Sequence, residues 1–115
     1  MGSVSIITVS YNNVNTIEKT IQSVKHQTYA NIEYLVIDGQ SKDKTVEIIK
    51  KYETDISKWI SEPDKGLYDA MNKGLRMATG DFVLFLNAGD NFVNDKVLEK
   101  VFSKYDAETD VLYGE

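Results

Sequence analysis

The sequence contains no cysteine, so it can form no disulfide framework and offers no thiolate for catalysis or metal binding. This absence suits a reducing compartment, and we expect the protein in the cytoplasm or, at full length, at the inner face of the membrane. Histidine occurs once, as His26 near the end of a predicted helix, where a cation at the helix dipole is a better explanation than catalysis.

Long apolar runs and clusters of basic residues are also missing. No apolar run approaches the ~20 residues that cross a bilayer, and no charged-then-apolar leader is present. The 13 basic residues are scattered among 18 acidic ones, giving a net charge of −5, which disfavours a nucleic-acid surface. We therefore expect a soluble chain without a transmembrane segment and without a nucleic-acid partner.

Strand-like and helical patterns alternate along the whole chain. Strands are predicted at 4–9, 32–37, 56–60, 82–86 and 111–113, and helices near 15–27, 44–52, 67–78 and 95–104. Asn15 and Glu18 have the spacing of a capping box. The third helix shows one apolar face, formed by Leu67, Ala70, Met71, Gly74, Leu75 and Ala78. The alternation predicts an α/β fold in one domain, 1–115: a Rossmann-like, doubly wound, mainly parallel sheet with helices on both faces.

The first strand-to-helix turn, Ser10 to Asn15, contains no glycine. Dinucleotide-binding folds place G-x-G-x-x-G at this turn, and phosphate-binding loops place G-x-x-x-x-G-K-[ST] there. Close approach of a pyrophosphate to bare backbone is therefore disfavoured. If phosphates bind, their charge must be handled elsewhere, and a divalent metal is the obvious alternative.

The stretch from Glu62 to Asp90 contains a loop, a helix, a buried strand and an acidic strand end. A carboxylate such as Asp90, just past a buried parallel strand, lies where open α/β sheets bind ligands, although it also suits a strand end and a helix cap. Asp64 and Lys65 precede the helix and either face an anionic ligand or belong to a solvated loop. Asp69 and Lys73 have the spacing of a surface ion pair.

Segments 4–13, 36–45 and 62–90 together resemble the N-terminal, nucleotide-sugar-binding part of family-2 glycosyltransferases with the GT-A fold. The resemblance implies that Thr8, Val9 and Tyr11 line the base and ribose of the nucleotide, and that Asp38 reads the base or ribose. A turn-forming role before Gly39 is the alternative for Asp38. Asp64 and Lys65 are further candidates for contact with the nucleotide.

The metal motif of this family departs from its usual form here. Most relatives carry Asp-x-Asp at this strand end, whereas this chain reads Leu86-Asn87-Ala88-Gly89-Asp90. Asp90 is the candidate ligand for Mg²⁺ or Mn²⁺, with weaker help from the amide oxygen of Asn87. Because a bound diphosphate would supply much of the coordination, metal binding is expected to depend on the nucleotide.

The resemblance implies an inverting, metal-dependent glycosyltransferase of polysaccharide biosynthesis that moves a sugar from a nucleoside-diphosphate donor, UDP in preference to others, to a hydroxyl. The general base, and the contacts to a saccharide or lipid-linked acceptor, are expected beyond Glu115, so this chain would supply donor binding. A non-catalytic nucleotide-binding or regulatory module is the alternative. A receiver-like signalling domain is disfavoured, because Tyr11-Asn12-Asn13 stands where that fold needs acids.

Overall fold

A single parallel sheet forms the centre of the molecule. The computed structural model describes residues 2–103 and 111–113. Its strands are β1 (Val4–Ser10), β2 (Ile32–Asp38), β3 (Lys58–Ser61), β4 (Phe82–Phe85) and β5 (Val111–Tyr113), in the order β3-β2-β1-β4-β5 with every neighbouring pair parallel. The helices are α1 (Ile17–Lys25), α2 (Thr45–Lys51), α3 (Leu67–Met77) and α4 (Val97–Ser103), with a short 3₁₀ turn at Glu53–Asp55. The predicted α/β, doubly wound fold is confirmed.

The strand order reverses beside β1. Val4 pairs with Ile32 of β2 on one side and with Phe82 of β4 on the other. The chain therefore winds outward in one direction through β2 and β3, and in the opposite direction through β4 and β5. In open α/β sheets, such a reversal opens a crevice at the carboxyl ends of the two strands that flank it.

Helices cover both faces of the sheet, as predicted. Alternate side chains of β1 point to opposite faces, so Ile6 packs into a core with α1, α2 and α4, while Ile7 packs against α3. The longest described helix, α3, has 11 residues, and no helix in the described ranges is long and apolar enough to cross a bilayer.

Several element boundaries differ from the prediction by one or two residues, and one predicted helix cap is absent. β3 begins at Lys58 and not at Ile56, because Ile56 closes the 3₁₀ turn and is buried in the core. The predicted capping box is wrong: Thr16 occupies the N-cap of α1, and the carboxylate of Glu18 instead accepts hydrogen bonds from the Tyr52 hydroxyl (2.6 Å) and Lys51 Nζ (2.9 Å) of the α2 region.

The apolar face of α3 is narrower than its sequence suggests. Ala70 and Gly74 are buried, whereas Leu67 and Leu75 are 51% and 41% exposed. Small residues at the contact let the helix lie close to the sheet. A Cβ at Gly74 would lie only 2.6 Å from Cγ2 of Ile7 and 3.1 Å from its Cδ1, so there is no room for a methyl group.

Gly74→Ala should therefore destabilise the protein even though alanine favours helices by about 1 kcal/mol over glycine. Overpacking against a β-branched side chain forces helix or strand to shift, and we expect a net loss of about 1–2 kcal/mol in the free energy of unfolding, measured in urea. Asn72→Ala, at an exposed position of the same helix, should change it by less than about 0.5 kcal/mol. Equal or higher stability of Gly74→Ala would contradict the close helix-to-sheet packing.

Glu33 fastens the amino-terminal edge of the sheet. Its carboxylate accepts hydrogen bonds from the Ser5 hydroxyl (2.7 Å) and from the backbone N–H (2.8 Å) and hydroxyl (2.7 Å) of Thr79, and Lys58 Nζ lies 3.5 Å away. Desolvation raises the pKa of Glu33, but the hydrogen bonds from Ser5 and Thr79 and the charge of Lys58 outweigh it and lower the pKa to about 2, from an ordinary 4.5. The ionised form thus ties the α3–β4 connection to β1 and β2.

This lowered pKa predicts a specific loss of stability in acid. Unfolding restores the ordinary value of 4.5, so the stabilisation is fully present above pH 4.5 and disappears as the pH falls towards 2. We expect Glu33 to contribute roughly 2 kcal/mol of this acid dependence. Glu33→Gln should flatten the stability profile between these two pH values in urea unfolding. An unchanged slope in the variant would contradict the assignment.

Candidate functional site

Two adjoining hollows open at the carboxyl edge of the sheet. The first, of about 340 Å³, is bordered by the end of β1, the turn after β4 and the start of α3. The second, of about 400 Å³, lies among the loops that follow β1, β2 and β3. Tyr11, Asp64 and Gly66 border both hollows. The first hollow occupies the β1/β4 reversal, where the fold predicts a ligand crevice.

The partition between the hollows is formed by Tyr11 and Asp64. The Tyr11 side chain is 54% exposed, and Oδ1 of Asp64 accepts a hydrogen bond from the Gly66 N–H (3.2 Å). A Cβ at Gly39 would lie 2.8 Å from Oδ2 of Asp64 and 3.3 Å from Cδ1 of Tyr11. The partition thus depends on glycine at position 39, since a larger residue would displace the Asp64 carboxylate.

A buried carboxylate belongs to the residue before Gly39, the glycine that lies against the partition. Asp38 is 0% exposed, and its two oxygens accept hydrogen bonds from the hydroxyls of Ser10 (2.8 Å), Ser41 (2.6 Å) and Ser61 (2.8 Å) and from the Ser41 N–H (2.8 Å). Ser10 pairs with Asp38 in the β1–β2 register, and Ser61 pairs with it in the β2–β3 register. The carboxylate therefore ties together the ends of three strands.

The loops after β1 and β2 are joined by reciprocal hydrogen bonds. The Asn12 N–H donates to Ser41 Oγ (2.8 Å), and Asn12 Oδ1 accepts from the Lys42 N–H (2.8 Å). Asn12 adopts a left-handed backbone conformation (φ 52°), as does Gln40 (φ 62°). Asparagine tolerates this region better than most residues. The joined loops fix the backbone from which Tyr11 projects.

The turn after β4 carries an unsatisfied oxygen. The Asp90 N–H donates to the Asn87 carbonyl (2.8 Å), which closes a four-residue turn, and the Gly89 N–H donates to Thr20 Oγ1 of α1 (3.0 Å). Oδ1 of Asn87 is buried and has no hydrogen-bond partner, and the residue borders the first hollow. The Cα atoms at the ends of such a turn lie within about 7 Å of each other, so a single turn carries the side-chain oxygens of both Asn87 and Asp90.

This pair suits a hard divalent cation, which prefers oxygen ligands and completes its shell with water and phosphate oxygens. Residues 2–103 contain no group of three or more acidic, histidine or cysteine side chains that would hold a metal ion unaided. A cation bound here would depend on further oxygens from a ligand.

Four of the predicted site residues border the hollows: Val9, Tyr11, Asp64 and Asn87. Asp90 lies at the far end of the Asn87 turn and is partly buried. Whether any of them touches a nucleotide or a metal stays a prediction.

Three other predicted residues do not border either hollow. Thr8 is fully buried; its hydroxyl donates to the Leu86 carbonyl (2.7 Å) and accepts a hydrogen bond from the Tyr34 hydroxyl (2.8 Å). Asp38 is occupied by its serine partners, and Lys65 is exposed. Their contacts with a nucleotide likewise stay predictions.

The serines around Asp38 were missed by the sequence reasoning. Ser10 and Ser61 are the last residues of β1 and β3, and their register brings both opposite Asp38. A usable signal existed: polar residues at the carboxyl ends of neighbouring parallel strands meet at one edge of the sheet.

Comparison with known proteins places the chain among sugar-transferring enzymes. The profile of a family described as "Glycosyl transferase family 2" matches residues 5–115. An uncharacterized glycosyltransferase of Mycobacterium tuberculosis is 42% identical over 97 residues, which cover 84% of this chain and 37% of the relative.

Two solved structures share the fold. S. aureus TarS 1–349 in complex with UDP-GlcNAc has a TM-score of 0.81 and 26% identity, covering 88% of this chain and 30% of that TarS chain. The mannosyltransferase PcManGT of Pyrobaculum calidifontis, in complex with GDP-Man and Mn²⁺, has a TM-score of 0.81 and 25% identity, covering 88% of this chain and 31% of the other. The chain thus spans well under half the length of these three proteins.

The Asp38 network leads to a stability prediction. Asp38→Ala removes four acceptor contacts at once and leaves a backbone N–H and three hydroxyls, that of Ser10 buried, without their partner, so we expect a loss of about 3–4 kcal/mol in urea unfolding. Ser61→Ala removes one donor and should cost about 1 kcal/mol. If Asp38→Ala were no more costly than Ser61→Ala, the carboxylate would not be the tie between the strands.

Proposed function

The chain belongs to glycosyl transferase family 2, and from this premise we propose that it is the N-terminal donor-binding portion of a longer glycosyltransferase. The enzyme would transfer a sugar from a nucleoside-diphosphate donor, UDP-linked in preference to others, to a hydroxyl acceptor. The observation that carries the proposal is the partnerless Asn87 oxygen beside a hollow at the β1/β4 reversal. A buried acceptor without a donor is costly unless a ligand, metal ion or water completes it.

The nucleoside is proposed to bind against the partition between the hollows. The exposed ring of Tyr11 offers an aromatic surface on which a base can stack. Oδ1 of Asp64 accepts the Gly66 N–H, and its Oδ2 can accept a hydrogen bond from a base N–H or a ribose hydroxyl. Val9 supplies apolar contact at the end of β1. Thr8 and Asp38 would contribute indirectly, through the hydrogen bonds that join β1 to Leu86 and to the end of β2.

The sugar diphosphate is proposed to lie in the first hollow, next to the turn after β4. Asn87 Oδ1 and the Asp90 carboxylate would hold Mg²⁺ or Mn²⁺ together with phosphate oxygens. When bound, such an ion neutralises the charge that develops on the diphosphate leaving group. Mn²⁺ accompanies GDP-Man in the PcManGT complex, which supports the same use of a divalent ion here.

The transfer itself needs a base to take the proton of the acceptor hydroxyl. No described side chain is assigned to this step. We propose that the base, and the contacts to a saccharide or lipid-linked acceptor, belong to the part of the enzyme beyond Glu115, which itself lies outside the described residues. Inversion at the anomeric carbon is part of the same proposal and follows from the family resemblance alone.

A non-catalytic nucleotide-binding or regulatory module on the same fold is the second candidate. The turn after β4 offers one carboxylate and one amide where family members commonly place two or more acids. A module of that kind would bind the nucleotide through Tyr11 and Asp64 without needing a metal ion.

A thermal-shift experiment with UDP and Mn²⁺ tests the proposal. Mn²⁺ alone should leave the melting temperature unchanged and UDP alone should raise it slightly, whereas both together at saturating concentration should raise it by on the order of 10 °C. Asp90→Ala should abolish the part that requires Mn²⁺ and retain the shift caused by UDP alone. The control is Glu47→Ala, which removes an exposed carboxylate from α2 and should respond as the wild type does.

Two results would count against the proposal. If UDP with Mn²⁺ stabilised Asp90→Ala as much as the wild type, the turn after β4 would not hold the metal. If UDP stabilised the wild type equally with and without Mn²⁺, the metal-independent module would be favoured over the metal-dependent enzyme.

A further inference from the structure

Lys73 is an unusually enclosed cation. It lies in the middle of α3, yet its side chain is only 13% exposed. Its Nζ donates to the Pro63 carbonyl (2.7 Å) and lies 3.3 Å from the Glu62 carboxylate and 3.8 Å from that of Asp69. Lysine is rarely enclosed without partners, because its ammonium group is costly to desolvate. The predicted surface ion pair between Asp69 and Lys73 is therefore part of a larger set of contacts in the structure. We call this set the anchor; it also includes Glu62 and the Pro63 carbonyl.

The partners of this anchor belong to the connection between β3 and α3. Residues 62–66 of this connection supply Pro63, Asp64 and Gly66 to the borders of the hollows. Asp69 reaches the same connection independently, since its carboxylate accepts a hydrogen bond from the Lys65 N–H (2.9 Å). Asp69 and Lys73, one helical turn apart on α3, therefore both form hydrogen bonds with the 62–66 segment.

The hydrogen bond donated by Lys73 is formed next to Asp64. Its acceptor is the carbonyl of Pro63, the residue immediately before Asp64, and Asp64 continues into the left-handed Gly66 (φ 116°) that begins α3. Lys73 itself borders neither hollow. It can influence a ligand in the hollows only through the position of the segment that it holds.

We propose that Lys73 is a positioning residue for donor binding: through the Pro63 carbonyl it holds the 62–66 segment so that Asp64 stays against Tyr11 and Gly39. This inference rests on the proposed function, because it concerns affinity for a nucleotide at that partition. Lys73 makes no contact with the nucleotide. Loss of its ammonium group releases the segment and allows the Asp64 carboxylate to leave the partition.

The proposal distinguishes the nucleoside from its phosphates. Asp64 lies at the partition where the base and ribose are proposed to bind, so its displacement lowers the affinity for uridine and the affinity for UDP by the same factor. If the lysine contacted the diphosphate directly, its loss would lower the affinity for UDP and leave the affinity for uridine unchanged. A lysine with a purely structural role would lower the melting temperature and leave both affinities unchanged.

The experiment compares wild type, Lys73→Met and Lys51→Met, all as the 115-residue chain. Methionine keeps the apolar stem of lysine and removes the charge and its donors. Lys51 forms an ion pair with Glu18 at the opposite face of the sheet and is 65% exposed. Lys51→Met therefore controls for the loss of one lysine charge away from both hollows. Dissociation constants for uridine and for UDP with Mg²⁺ are measured by NMR titration at a temperature well below every melting transition. Lys73→Gln takes the place of Lys73→Met if the latter does not fold.

We expect Lys73→Met to raise both dissociation constants about tenfold and by equal factors, and Lys51→Met to change them less than about twofold. A loss confined to UDP would overturn the positioning role in favour of direct phosphate contact. Unchanged affinities for both ligands would overturn it in favour of a structural role. A wild-type chain that binds neither uridine nor UDP would overturn the proposed function itself, and the role of Lys73 with it.

Discussion

The carboxylate of Asp38 is the interaction on which the carboxyl edge of this molecule depends. It is fully buried, and four donors from Ser10, Ser41 and Ser61 compensate its desolvation. Since the serines come from the end of β1, the loop after β2 and the end of β3, one group sets the relative height of three strand ends. The loops after β1, β2 and β3, which form the second hollow and one side of the first, start from those ends. A shift of Asp38 would therefore move the Tyr11 loop and the Asp64 segment together.

The fold could be predicted because buried parallel strands are long apolar runs and their alternation with helices leaves few topologies. The packing of the helices against the sheet could not be predicted in the same way. Hydrophobicity places Leu67 and Leu75 on the buried face of α3, but the helix lies so close to the sheet that only Ala70 and Gly74 fit in the contact. The distance between a helix and a sheet is set by both partners and is not encoded in the periodicity of one. The partners of Glu18, which lie on another helix, escape local pattern reading for the same reason.

The candidate site follows the same division. Tyr11, Asp64 and Asn87 could be grouped in advance, because the carboxyl ends of parallel strands share one edge. Strand alternation also separates Val9, on the α3 face with Ile7, from the buried Thr8, although the resemblance implies that both line the nucleotide. The enclosure of Lys73 is different. It depends on how the loop before α3 folds back over the helix, which a spacing of four residues cannot reveal.

The strand order also has a consequence for how the chain folds. Val4 finds its first partner, Ile32, early in the sequence, but its second partner, Phe82, belongs to a strand made after most of the chain. The β1–β4 pairing closes the longest loop within the described part of the sheet and therefore has the largest loop-closure entropy among its strand pairings. During synthesis the inner edge of β1 stays open until that strand arrives. The first hollow lies across this junction, so it forms only once β4 has paired with β1, and nucleotide binding can report on that pairing.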